Sequence, residues 1–258
     1  MLAHVQSSAV LGIDAYTVHV EVDVSNGLPM MAVVGLPDAA VNESRERVRS
    51  AIENSGFLFP YDKRVTINLA PADVRKAGPS FDLPIAIGIL IATGQVSGEF
   101  IEDAIVTGEL SLDGSVRPIT GALPIAIGAR ERKVRRLFLP AANGREAAIV
   151  SDVDILPVAT LAEIVRALAM PETLPPLPHD ISMLQGREAR MLHDFADVKG
   201  HAAVKRALEV AAAGGHNVLL LGPPGSGKTM MARRLPSILP PMSVDEALEA
   251  TNVHQCAS

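Results

Sequence analysis

An α/β fold in two parts is what this sequence predicts, on three observations. Val18-His19-Val20-Glu21-Val22-Asp23-Val24 alternates apolar and polar residues with the period of a half-buried strand. Strand-like and helix-like patterns then alternate as far as Met170, as in a mixed sheet joined by hairpins and helical crossovers. A proline-rich stretch, Pro171-Glu172-Thr173-Leu174-Pro175-Pro176-Leu177-Pro178, interrupts the pattern and reads as an extended linker.

Composition supports a globular reading. Apolar residues make up 48% of the 258 residues and charged residues 20%, far from the disordered class. Aromatics are only 3%, with no Trp, so the core must be aliphatic. A net charge of −6 argues against a surface that is basic throughout. The densest basic cluster, Arg130 to Arg136, reads as the solvated end of a helix. One cysteine, Cys256, excludes an internal disulfide and points to a reducing compartment. The N-terminus has no secretory pattern, and the most apolar window, Leu83 to Thr93, is too short to span a membrane. The cytoplasm, with no membrane association, is the expected location.

In order along the chain, the valine strand is followed by a turn at Ser25-Asn26-Gly27, and Leu28 to Val34 reads as the returning strand. His19 lies on the polar face. Asp38 is placed to cap a helix that runs to about Gly56, with Glu43, Arg45, Glu46, Arg47 and Arg49 as its exposed face. Arg64 to Leu69 is a strand, Ala70 to Ser80 an irregular loop and Phe81 to Ala92 an apolar helix. Ala104 to Leu112 and Ser115 to Ile119 flank an Asp113-Gly114 turn and predict a hairpin. A helix over about Leu123 to Arg132, a strand over Arg136 to Pro140, a short helix within 141–150, a strand over Val153 to Val158 and a helix capped by Thr160 complete this part.

Beyond the linker, His201 to Ala213 predicts a helix ending at Gly214-Gly215. The apolar run Val218-Leu219-Leu220-Leu221 reads as a buried strand. It leads into Gly222-Pro223-Pro224-Gly225-Ser226-Gly227-Lys228-Thr229, which fits the spacing G-x-x-x-x-G-K-[ST] ahead of a helix. The glycines let backbone N–H groups turn inward as an anion nest, and the helix start adds partial positive charge. Lys228 is expected to reach the β- and γ-phosphates of ATP, and the Thr229 hydroxyl to hold Mg²⁺. Pro236 ends that helix, Pro240-Pro241 breaks the chain, and Ser243 with Glu246 forms a capping box for a last helix.

Asp194-Phe195-Ala196-Asp197-Val198-Lys199-Gly200, with Lys205 to Asn217 and the phosphate loop, resembles the start of an AAA+ module of the magnesium-chelatase type. The resemblance places Val198 and Gly200 near the adenine. Gly78-Pro79-Ser80 before an apolar helix, and Thr107 to Ile119, resemble the proteolytic domain of Lon, a ribosomal-S5-domain-2-like fold. The combination resembles the YifB/ComM family. Residues 1–170 are then a Lon-like domain, 171–190 a linker and 191–258 the N-terminal part of a P-loop AAA+ module.

What the resemblance implies is an ATP-driven hexameric ring acting on DNA in branch migration during recombination. A catalytically incompetent remnant, serving for interaction or nucleotide binding, is the alternative. Ser80 stands at the Lon nucleophile position. The lysine that would activate it is replaced near Ile125, Lys76 reads as a solvent-facing loop residue with ordinary acidity, and Ser80 reads instead as a helix cap, so no proteolysis is expected. No apolar strand ending Asp-Glu follows Thr229, and Glu109 and Asp154 end strands of the other domain. The chain is therefore expected to be a truncated product or a fragment, without the acidic, sensor and arginine-finger residues of such motors.

Overall fold

A computed structural model of the chain describes residues 1–74, 76, 78–182, 194–240 and 242–256. Arg75 and Ala77 of the loop before Ser80, the later part of the expected linker, Pro241 of the expected chain break and the tail Ala257-Ser258 lie outside the described residues. The chain divides into two compact units, one built on Met1–Ile181 and the other on Ser182–Thr251.

The first unit is mixed α/β. Its main sheet has seven strands in the order β3-β4-β2-β1-β5-β8-β9: β1 (Leu2–Leu11), β2 (Asp14–Ser25), β3 (Met30–Val34), β4 (Arg64–Ala70), β5 (Ala104–Val106), β8 (Arg136–Pro140) and β9 (Asp154–Val158). β2 runs antiparallel to β1 and β4, while β1–β5, β3–β4, β5–β8 and β8–β9 are parallel. A separate antiparallel pair, β6 (Glu109–Leu110) and β7 (Val116–Arg117), flanks the Asp113-Gly114 turn.

Alternation in β2 works as its sequence predicts. Val18, Val20, Val22 and Val24 are buried, and His19 is exposed. Against the buried face lies α2 (Asp82–Ala92), every residue of which is buried, entered through a tight turn at Pro79–Phe81. Gly88 makes this approach possible, because a Cβ there would stand 2.6 Å from Val22 Cγ2. α1 (Ala39–Asn54) packs on α2 and starts as predicted, with Asp38 Oδ1 accepting from the Val41 N–H. α3 (Ala122–Glu131) approaches Val10 and Ala15, whose register puts them on the opposite sheet face from Val5 and Val22. Beyond β8 come a short helix, α4 (Gly144–Ala147), then β9 and α5 (Leu161–Ala169), which Thr160 caps by accepting from the Glu163 N–H.

Two strand expectations change. β3 does not fold back on β2; it lies parallel to β4, since β1 and β4 already occupy both edges of β2. Gly35, at φ 99°, ends β3 where a Cβ would fall 2.1 Å from the Leu69 carbonyl oxygen. The hairpin around Asp113-Gly114 is confined to β6 and β7, because β5 joins the main sheet between β1 and β8.

The second unit contains α6 (Ala202–Gly214), α7 (Lys228–Arg234) and α8 (Val244–Cys256, which runs past the unit's boundary). Its small core joins Phe195, Val198, Leu208 and Met231, with Val204, Leu235 and Ile238 against them. The capping box of α8 forms: the Ser243 N–H donates to Glu246 Oε2 at 2.7 Å, and the Glu246 N–H to Ser243 Oγ at 3.3 Å. The expected buried strand does not form. Residues 216–223 carry no strand, and Leu219 and Leu221 are 81% and 84% exposed. A strand needs a hydrogen-bonded neighbour, and the described residues of this unit supply none.

Candidate functional site

The phosphate-loop sequence bridges an extended segment and α7. Pro224 and Gly225 form a turn, and Gly225 and Gly227 adopt φ of 77° and 83°, positions that a side chain would strain. At Gly222 a Cβ would sit 2.9 Å from Ser226 Oγ. The Ser226 N–H closes the turn onto the Pro223 carbonyl at 3.3 Å, and the Met231 N–H donates to Gly227 O at 2.9 Å.

Lys228 folds back into the loop. Its ammonium donates to the carbonyls of Gly222 at 2.7 Å and Pro223 at 2.8 Å, with Ser226 Oγ at 3.4 Å. These partners are neutral oxygens, and an anion can displace them because it adds the attraction of opposite charges to the hydrogen bond. Thr229 is exposed, with its hydroxyl at the start of α7.

Val198 and Gly200 sit ahead of α6. Val198 is buried against the core that contains Met231 of α7, so this segment is packed on the helix that the loop opens. Two further bonds tie it there: the Phe195 N–H to Ser237 Oγ at 2.9 Å, and Arg234 Nε to the Asp194 carbonyl at 3.1 Å. Gly200 turns the chain at φ 72°. Arg234 and Ser237 were not singled out from the sequence; only their bonds to a segment some forty residues away reveal what they do.

Ser80 lies in the first unit, half-buried. Its carbonyl accepts from the Gly108 N–H at 2.9 Å, while the Leu83 N–H donates to Gly108 O at 3.0 Å. The main chain of the Gly78-Pro79-Ser80 loop is thereby docked on Thr107-Gly108. The expected cap is not made: neither the Pro79–Phe81 turn nor α2 has a side-chain cap bond. Asp38 reaches this loop instead, with Oδ2 accepting from the Gly78 N–H at 3.1 Å.

Lys76 differs from expectation as well. It is fully buried, its ammonium donates to the Val74 carbonyl at 2.7 Å, and loss of water pulls its pKa below the usual lysine value. Its main chain explains why: Lys76 N–H donates to Leu36 O and the Asp38 N–H to Lys76 O, which draws this loop residue inward. Ile125 is buried in α3. Glu109 and Asp154 face Arg117 and Arg135 at 3.7 and 3.9 Å. Among the described residues no group of three or more His, Cys, Asp or Glu side chains could hold a metal ion, and no helix is long and apolar enough to cross a membrane.

Arg47, placed on the exposed face by its sequence, pairs with Asp82 at 2.7 Å, and Asp82 is wholly buried. Burial pushes the Asp82 carboxyl up to about 6, against the opposing pull of Arg47 and of the Leu110 N–H.

Fold and loop together define a mixed α/β protein whose second unit presents a glycine loop wrapped around a lysine. Residues 20–143 match the family described as subunit ChlI of Mg-chelatase, and residues 194–258 the family described as magnesium chelatase, subunit ChlI. Over 253 residues the chain is 43% identical to the competence protein ComM of Haemophilus influenzae and 43% to the uncharacterized protein YifB of Salmonella typhimurium. Each alignment covers 98% of this chain and 49% of the relative. A Lon protease of Chloroflexus aurantiacus is 30% identical over 140 residues, 52% of this chain and 16% of that protein. The chain belongs to the magnesium-chelatase-like family of YifB and ComM proteins, and spans about half the length of the relatives it matches.

Proposed function

We propose that residues 222–229 bind the phosphates of ATP and that the chain is the nucleotide-binding portion of an AAA+ ATPase. The observation that carries this reading is Lys228, held by the Gly222 and Pro223 carbonyls inside a loop whose glycines have positive φ. Phosphate oxygens would take over the ammonium, and the loop N–H groups would line the anion. Thr229 would supply one oxygen to Mg²⁺, the rest coming from phosphate and water, as this ion ordinarily prefers. The metal, when bound, neutralises charge on the β- and γ-phosphates. Val198 and Gly200 would flank the base.

For the whole protein the same reading is an ATP-driven hexameric ring acting on DNA in the cytoplasm, with ComM, a competence protein by name, as the supporting relative. Residues 1–170 would be a Lon-like domain of the ribosomal-S5-domain-2 type without proteolytic activity, 171–190 a linker and 191–258 the start of the AAA+ module. A second reading, an interaction module without ATP turnover, draws on the exposure of Leu219 and Leu221.

Isothermal titration of the chain with ATP and magnesium tests the primary reading. Magnesium-dependent uptake that Lys228→Ala weakens at least about tenfold is expected, the scale of losing a charge-assisted contact. Uptake that is absent, or unchanged in that variant, would overturn it.

A further inference from the structure

The first unit has a cleft of about 370 Å³ at the β3 edge of its sheet, remote in sequence from the phosphate loop. Three segments wall it: Met30 at the start of β3, Arg45 and Arg49 on α1, and Phe59, Tyr61 and Lys63 from the loop before β4. Its volume falls in the range of small-molecule sites.

The lining combines ring faces with cations. Phe59 and Tyr61 meet edge to face with ring centres 5.3 Å apart, and Tyr61 keeps 56% of its surface exposed. Lys63 Nζ is braced by Asn26 Oδ1 at 2.8 Å and faces Asp62 at 3.6 Å. Arg45 donates to the Met31 carbonyl at 3.4 Å, and Arg49 is hydrogen-bonded to Glu46. The lining carries three cations and one carboxylate, Glu46, with Asp62 beside Lys63 and the Glu53 carboxylate hydrogen-bonded to Tyr61. The exposed carboxylates Glu46 and Asp62 hold Arg49 and Lys63 weakly, since surface pairs contribute little, so an incoming phosphate can replace them.

We propose that this cleft is a binding site for a nucleotide unit, its ring stacked on Tyr61 and its phosphate held by Arg45, Arg49 and Lys63. An apolar side chain would use the rings and Met30 but make no polar contact with the guanidinium and ammonium groups. Inorganic phosphate would do the reverse. A ring bearing a phosphate satisfies both, whether as a free mononucleotide or as one residue of a single strand.

The test uses the full chain carrying Lys228→Ala, so that uptake at the phosphate loop does not mask the cleft. Adenosine monophosphate, a short oligothymidylate and inorganic phosphate are titrated in turn, with folding followed by circular dichroism. Saturable binding of the mononucleotide or the oligothymidylate, tighter than that of phosphate, is expected. Tyr61→Ala should weaken it at least about fivefold, the lower end of what one lost base–aromatic stack costs, and Lys63→Ala by at least about as much, through loss of a charge-assisted contact to the phosphate. Binding of both nucleotide probes identifies free nucleotide as sufficient, and binding of the oligothymidylate alone identifies a strand; either supports the site. No nucleotide binding in the Lys228→Ala chain, equal binding of phosphate, or binding that Tyr61→Ala leaves unmoved overturns it. Uptake removed by Lys228→Ala alone eliminates the cleft and leaves the phosphate-loop reading standing. Uptake that survives Lys228→Ala and is lost in Tyr61→Ala supports the cleft, while magnesium-dependent uptake of ATP by the unsubstituted chain judges the phosphate loop separately.

Discussion

Arg47 grips Asp82 through two hydrogen bonds, Nε to Oδ2 at 2.7 Å and Nη2 to Oδ1 at 3.1 Å. The same carboxylate accepts from the Leu110 N–H at 3.3 Å, and Arg47 also donates to the Ala40 carbonyl at 3.1 Å. One ion pair therefore pins α1, the first turn of α2 and β6 together. Asp82 is completely buried, so the pair is a structural commitment and not a surface ornament.

Removing one partner should cost far more than removing both. Arg47→Leu strands a buried carboxyl and is expected to destabilise the chain by about 3 kcal/mol, whereas Arg47→Leu with Asp82→Leu should recover much of that loss. Urea denaturation at pH 7.5 reads both values; equal losses would show that the buried charge is not the source of the cost.

Asp82 also predicts a pH dependence. Its folded-state pKa, about 6, lies above the ordinary 3.8, so between those values the folded state binds more protons than the unfolded one. For this group, stability therefore rises as pH falls through 6 and levels off below about 4. The whole interval corresponds to about 3 kcal/mol. Subtracting the stability of Asp82→Asn from that of the unsubstituted chain at each pH isolates the term. The difference should grow in favour of Asp82 on acidification, and a flat or opposite trend would refute the assignment.

In the second unit, the apolar run before the phosphate loop and the helix after it should respond oppositely to substitution. Leu219 is 81% exposed, so Leu219→Ser should change stability by no more than about 0.5 kcal/mol. Met231 is 3% exposed within the small core, and Met231→Ala should cost about 2 kcal/mol or more. Limited proteolysis of residues 194–240 in urea would rank the two variants.

Local rules were legible wherever the partners are neighbours in the chain. Asp38, Thr160 and Ser243 cap their helices by bonds to residues three positions on, and the β2 valines are buried by simple alternation. Arg47 was misplaced for the opposite reason, since Asp82 lies 35 residues away on a different helix. Lys76 looked like an ordinary loop lysine, and its burial follows from main-chain bonds to Leu36 and Asp38. The cleft was invisible, because Met30, Arg45 and Tyr61 come from three segments with no common periodicity.

The glycine spacing of residues 222–229, the alternation of β2 and the helix caps were determined by the sequence alone, because each depends on backbone freedom or bonds spanning only a few residues. Tertiary structure decided which strands are neighbours, that Val218 to Leu221 form no strand with the described residues and that Asp82 and Lys76 are buried. Pairing and dehydration are supplied by distant segments, and a residue's own neighbours in the chain carry no record of which segment will arrive.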